Sequence, residues 1–243
     1  MEDGLGAYQT VVVLGAASEV ARQTLRRLVG RRTRHVVLAA RQPDAVRRLA
    51  DELRSRGAST VDCVPFDPTE AASVSASIAR AIDPVGDLDL VLVTLGLRGD
   101  RGAGDGPTDG GAAASALTAL APRLRAQGHG AVVVVSSFAR APGGADDASS
   151  ATPTALDACA RILRDELAGA GPRVLVVRTG VVHTEPTAGH GPAPLTVTPE
   201  VVADAVVAGL ARGRTVVWVP AAWGRIATVM RRLPGRRRRP PAR

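Results

Sequence analysis

The run Leu14-Gly15-Ala16-Ala17-Ser18-Glu19-Val20-Ala21 closes a β-branched stretch with a glycine and opens an amphipathic one. A glycine at that point lets the backbone bend sharply. The N–H groups at the start of the following helix then converge on one spot, where they favour an anion such as a pyrophosphate. Two of the three glycine positions of a GxxxGxG loop are filled by Glu19 and Ala21, so the loop by itself also reads as a plain strand-to-helix turn. A second β-branched stretch ends Ala39-Ala40-Arg41-Gln42-Pro43-Asp44. No acid stands at its tip to grip a ribose diol, and Arg41 is placed to face a 2′-phosphate or simply to be solvated.

Composition removes other chemistries. All 31 basic residues are arginine, asparagine is absent, and the single tyrosine is Tyr8. A phosphate-gripping P-loop lysine, a Schiff-base lysine, a Tyr-x-x-x-Lys pair and a catalytic asparagine are therefore excluded. The net charge of +8 is carried by the end of the chain, where residues 224–243 hold eight arginines and no acid, leaving residues 1–224 formally neutral. Cys63 and Cys159 are too few for a disulfide framework and lack metal-ligand spacing to any of the four histidines, so no metal site is expected and both are read as buried thiols. The start, Met-Glu-Asp-Gly-Leu-Gly, has neither the basic nor the apolar region of a signal peptide, and no apolar run approaches the ~18 residues of a membrane span. A cytoplasmic protein is expected.

The elements that must position these residues alternate. β-branched runs at Thr10–Leu14, His35–Ala39, Thr60–Val64, Leu88–Thr94, Ala131–Val135, Val174–Val177 and Thr215–Val219 are separated by amphipathic stretches such as Glu19–Val29 and Ala45–Arg56. Strands apolar on both faces and separated by helices imply an α/β fold, a doubly wound parallel sheet of about seven strands covered on both sides. Ligands of such a sheet bind at the carboxyl ends of its strands. The Gly/Asp-rich stretch Arg98–Gly111 and the stretch Ala141–Pro153 break the rhythm and read as loops at that edge. A Rossmann-type domain over 1–222 and a basic tail over 223–243 are expected.

In order and spacing the chain resembles the short-chain dehydrogenase/reductase family over nearly all of residues 10–220. The resemblance implies that Gly15, Ser18, Glu19 and Val20 hold a dinucleotide pyrophosphate and that Asp67, in Phe66-Asp67-Pro68, bonds the adenine amine. It further implies that Gly96, in Val93-Thr94-Leu95-Gly96, lines the cofactor and that Ser137 is the catalytic serine. Arg178-Thr179-Gly180-Val181-Val182-His183-Thr184 stands for the segment that embraces the nicotinamide, with Thr179 in place of proline; Thr179, Gly180, Val182 and Thr184 are its cofactor contacts. Arg41 leans the cofactor toward NADP over NAD.

Shorter strings narrow the resemblance, among them Gly96-Leu97-Arg98-Gly99-Asp100, Ala193-Pro194-Leu195-Thr196-Val197 and Val217-Trp218-Val219-Pro220-Ala221-Ala222. They resemble reductases of a polyprenyl-phosphate keto-pentose in actinobacterial arabinan and cell-wall synthesis. That implies a lipid-linked sugar as substrate, a flavin oxidase as partner and, for the wider family, a homodimer.

The departures concern the proton. In the family a tyrosine with a lysine four residues later donates it, and an asparagine continues the relay. Here Ser149 (or Ser150) stands at the tyrosine position, Pro153 at the lysine position and Asp109 at the asparagine position. Pro153 also places the start of the active-site helix near Thr154. Only Ser137 of the tetrad survives, so the resemblance implies a pseudoenzyme or an impaired reductase; the alternative is an active reductase with an unorthodox proton donor. His183 is of a type suited to proton transfer, while His35, His129 and His190 read as structural. In the tail, Trp223, Ile226, Ala227, Met230 and Leu233 can share one side of a short helix rimmed by Arg225, Arg231 and Arg232. That pattern fits either an anionic membrane surface or a helix docked on its own domain. Nucleic acid is disfavoured because no stacking aromatics accompany the arginines.

Overall fold

The computed structural model describes residues 8–67, 78–79, 82, 86–95, 108–137, 155–180, 182–183 and 196–225. Strand β1 (Thr10–Leu14) leads into α1 (Glu19–Val29), β2 (His35–Ala40), α2 (Arg47–Ser55) and β3 (Thr60–Pro65). Then follow β4 (Leu90–Val93), α3 (Thr108–Gln127), β5 (Ala131–Ser137), α4 (Ala155–Glu166), β6 (Arg173–Thr179), α5 (Pro199–Ala211) and β7 (Val216–Val219). The seven strands form one sheet in the order β3-β2-β1-β4-β5-β6-β7, every pairing parallel. This is the doubly wound architecture expected from the alternation of apolar runs.

Side-chain alternation divides the core in two. Val11, Val13, Val133, Val135, Leu175 and Val177 face one apolar layer together with Val20, Leu25 and Leu28 of α1 and Val202, Val206 and Leu210 of α5. Val12, Leu14, Val91, Val93, Val132, Val134, Val174 and Val176 face the other, with Leu117, Leu120 and Leu124 of α3 and Leu156, Ala160 and Leu163 of α4. A period of two in each strand thus feeds two helical layers, and for that reason the strands are apolar throughout.

Several boundaries differ from expectation. The fourth strand is shorter than Leu88–Thr94, and the Leu88 backbone is bonded to a side chain rather than to a neighbouring strand. The Leu88 N–H donates to Gln127 Oε1 at 3.0 Å and the Leu88 carbonyl accepts from Gln127 Nε2 at 2.6 Å. The buried Asp89 carboxylate accepts the N–H groups of Gln9 and Thr10 at 2.9 and 3.0 Å, satisfying the amino end of β1. β5 and β6 run longer than expected, since their mutual pairing continues through Ser136↔Arg178 and Ser137↔Thr179. Of the loop expected over Arg98–Gly111, residues 98–107 lie outside the described residues, and the rest is helical, because α3 starts at Thr108 and includes Asp109; Thr and Asp suit a helix start. The expected helix at Ala45–Arg56 is split into a 3-10 turn at Pro43–Val46 and α2. The helix expected to start near Thr154 is α4, described from Ala155 onward. Both cysteines are half-buried rather than buried. Cys63 lies on the edge strand β3, which lacks a neighbour on one side, and burial still pushes its thiol above the ordinary value. Ala141–Pro153 and residues 226–243 lie outside the described residues.

Among the described residues no helix is long and apolar enough to cross a membrane. Leu92 at the centre of β4 is fully buried (0% exposed), whereas Ile162 on α4 is 56% exposed. Leu92→Ala is expected to lower unfolding stability by about 2–5 kcal/mol, and Ile162→Ala by about 0.5 kcal/mol or less, as read from urea denaturation midpoints at constant slope.

Candidate functional site

The strand order reverses direction between β1 and β4, and Gly15 sits at that point, one residue past the end of β1. Its N–H and that of Ala16 both donate to the Ala39 carbonyl at 3.0 Å, and its own carbonyl accepts from Ser18 N–H at 3.1 Å. Thr94, the residue after β4, donates its hydroxyl to the Gly15 carbonyl at 2.9 Å, and its N–H bonds Leu14 O at 3.0 Å. The Gly15 φ is +91°, and a Cβ there would lie 3.1 Å from Thr94 Oγ1 and 3.2 Å from the Thr94 carbonyl carbon. Conformation and space both demand glycine. The tertiary structure thereby adds Thr94 to the site, through a bond that reaches 79 residues along the chain.

Beyond the turn, Ser18 caps α1 in an extended conformation without a side-chain cap bond. The N–H groups of the first helical turn, from Glu19 to Ala21, have no acceptor within the helix. Glu19, where a glycine was missing, accepts from Gln23 Nε2 at 3.2 Å and lies 3.4 Å from Arg22 Nη1. Its charge is thus partly balanced on its own helix. Ala21, the other missing glycine, is fully buried, and Val20 is 2% exposed.

Arg41 follows β2 and is exposed, with no ion pair among the described residues; Asp67 follows β3, half-buried and with a bonding partner. Ser137 is the last residue of β5, in register with Thr179 at the end of β6. Thr179 is fully buried, and its Oγ1 has no hydrogen-bond partner among the described residues. The Gly180 N–H donates to Val219 O at 2.9 Å. Val182 then bridges Val197 in parallel, and the exposed His183 donates its N–H to Val197 O at 2.8 Å. Gly15, Ser137, Thr179 and Arg41 therefore share the carboxyl edge of the sheet, with Arg41 and Asp67 toward the β3 side. Gly96, Ser149, Ser150, Pro153, Thr184 and His190 lie outside the described residues.

One charged group beneath this edge was not singled out from the sequence. Asp157, in the first turn of α4, has a side chain only 4% exposed, and its Oδ2 lies 2.7 Å from Arg178 Nε of β6. The Arg178 guanidinium carbon sits 4.8 Å from the centre of the Trp218 ring, a cation–π arrangement. Ser136, buried beside Arg178 in the ladder, hydrogen-bonds the same carboxylate. Burial pushes the Asp157 carboxyl above its ordinary value, while Arg178, Arg161 and Ser136 pull it back. The signal available in the sequence was an acid three residues before Ala160, at the edge of the apolar stripe Leu156, Ala160, Leu163. The turn at 221–225 packs on the same tryptophan: a Cβ on Gly224 would come within 2.9 Å of Trp218 Cδ1. Trp223 in that turn is half-buried on the domain, so its ring is not wholly free to serve as a surface anchor.

A family model of the short chain dehydrogenases matches residues 9–109. An uncharacterized oxidoreductase of Streptomyces coelicolor is 39% identical over 244 residues, with 96% of each chain covered. An uncharacterized oxidoreductase of Mycobacterium tuberculosis is 35% identical over 234 residues, covering 92% of this chain and 93% of the relative. The chain belongs to the short-chain dehydrogenase family. Among solved structures, a short-chain dehydrogenase of Burkholderia cenocepacia in complex with NADP superposes with a TM-score of 0.66 at 21% identity, covering 93% of this chain and 94% of that one. A 7α-hydroxysteroid dehydrogenase complexed with NADH and a 7-oxo bile acid gives 0.71 at 16% identity, covering 91% and 96%.

Two outcomes follow. Gly15→Ala forces a side chain into the left-handed region, at about 1–2 kcal/mol, and into contact with Thr94. A loss of at least that size is expected in urea unfolding, and an unchanged midpoint would contradict the close approach. For Asp157 the sign is set by burial. A folded carboxyl that titrates above its unfolded value contributes fully while protonated, and that contribution is lost as pH rises through the folded value. The Tm of Asp157→Asn, measured against the unsubstituted protein, should therefore shift in the variant's favour between pH 4 and 7. A shift the other way would mean that Arg178 outweighs burial.

Proposed function

We propose that this protein is a nicotinamide-dinucleotide-binding member of its family in which the orthodox reductase chemistry is impaired or lost. The observation that carries this reading is the position of its one tyrosine. Tyr8 precedes β1 at the amino edge of the sheet, is 5% exposed and accepts a bond from Arg173 Nη2 at 3.2 Å. The five residues of β1 separate it from the carboxyl edge, about 17 Å at 3.3–3.4 Å per residue. With no lysine in the chain, neither half of the usual proton-donating pair reaches the site. General acid catalysis contributes about 10²–10⁴ in rate, and a serine hydroxyl at position 149 or 150 is a far weaker acid than a phenol.

The residues present suit a dinucleotide. Gly15 clears the turn, and the N–H groups from Glu19 to Ala21 face the place where a pyrophosphate would lie. Asp67 would take the adenine amine, and Ser137 would orient a carbonyl. Bound there, such a cofactor supplies hydride exchange with a carbonyl or alcohol carbon. Arg41, exposed and without an ion pair among the described residues, supports NADP over NAD; neighbours of the same fold carry NADP in two cases and NADH in another. Gly96, Thr179, Gly180, Val182 and Thr184 complete the contacts that the family resemblance assigns.

A second reading is an active NAD(P)H-dependent reductase of a polyprenyl-phosphate keto-pentose. His183 favours it, being an exposed imidazole on the segment after β6. In that reading the arginines of 225–243 suit an anionic membrane surface, each contributing about 1 kcal/mol close to it.

Calorimetry with NADPH and NADH, followed by turnover with a lipid-linked keto-sugar, separates these readings. Binding without turnover is expected. Arg41→Glu should weaken NADPH by about tenfold or more while leaving NADH little changed. Absence of binding by both dinucleotides at millimolar concentration would overturn the proposal.

A further inference from the structure

The hydroxyl of Thr179 is a polar atom left without a hydrogen-bonding partner among the described residues. Thr179 ends β6 between Ser137 of β5 and Val219 of β7. It is fully buried, and no group among the described residues bonds its Oγ1. Such an oxygen carries its whole desolvation penalty with nothing to offset it. Packing does not explain it. The neighbours on the same layer are Val177 and Val219, and a valine of the same shape would fill this space without an unpaired oxygen.

Its position supplies the reason. Thr179 stands on the carboxyl edge that carries the Gly15 turn, where the chain leaves the sheet through Gly180 and the Val182–Val197 bridge. In the family resemblance this position is proline, whose ring has no hydroxyl to offer, so the group belongs to this chain.

We propose that Thr179 Oγ1 is the hydrogen-bonding partner of the nicotinamide carboxamide when a dinucleotide is bound. The inference rests on the dinucleotide reading above and adds one named atom to it. A threonine hydroxyl both donates and accepts, so it can serve either the carboxamide oxygen or its NH₂ group. The unpaired oxygen of the free protein is then satisfied by ligand, and Thr179 opposes folding slightly while it aids binding.

The two effects have opposite signs under one substitution. Thr179→Val should raise the Tm of the free protein by about 2–4 °C. It should weaken NADPH and NADH by about two- to tenfold. Affinity for 2′-phospho-ADP-ribose and ADP-ribose, which lack only the nicotinamide, should stay the same. Thr179→Ser, which keeps the hydroxyl, should retain the nicotinamide-dependent difference, and Thr179→Ala should lose it, so the test survives a Val variant that fails to fold. Equal weakening of both ligand classes, or no weakening of either, would overturn the role of Thr179 and leave the dinucleotide reading standing. If the unsubstituted protein binds none of the four ligands, both fall.

Discussion

The meeting of β1 and β4 at Gly15 and Thr94 is the constraint on which the rest of the site depends. Here two strands that are distant in sequence become neighbours, and the chain divides into a half that winds toward β3 and a half that winds toward β7. The backbone must turn from β1 into α1 within van der Waals reach of the residue that leaves β4. Only a residue without Cβ at φ +91° permits this. Thr94 fixes the approach by bonding the Gly15 carbonyl, so the loop that aims the first turn of α1 is held by the opposite half of the sheet. Asp89 does comparable work at the other end of β4, where its carboxylate receives the first N–H groups of β1.

The same sheet shows that this architecture does not depend on any single polar side chain. Seven parallel strands, the five inner ones largely buried on both faces, are specified by apolar pattern, and pattern tolerates the loss of individual polar side chains. Proton donation does not, because it depends on one acidic hydroxyl and one neighbouring cation at fixed places. In this chain the tyrosine lies at the amino edge and lysine is absent. What the interior keeps instead is the buried set of Ser136, Asp157, Arg178 and Trp218, which ties the start of α4 to β6 and β7. Breaking a buried pair of this kind by removing one partner typically costs about 3–5 kcal/mol. Its geometric contribution is to fix where α4 begins relative to the strand ends.

Much of this was legible in the residues. Period-two apolar runs separated by helical stretches determined the parallel, doubly wound class, because only burial on both faces accounts for strands with no polar side. The bounds of β1 and α1 followed from Gly15 and the stripe Val20, Ala21, Leu25, Leu28, and the absence of lysine and asparagine could be read directly from the composition. Tertiary structure decided what pattern cannot encode. It set which strand ends lie side by side, and so brought Thr94 to Gly15 and Thr179 to Ser137. It shortened β4, whose first residues are bonded to Gln127 and to the start of β1, and lengthened β5 and β6, which extend each other's ladder. It also turned Asp157 inward onto Arg178 and left the Thr179 hydroxyl without a partner among the described residues. Hydrophobic periodicity is local and survives in the sequence, whereas the pairing of polar groups is settled between segments that meet only after the chain has folded.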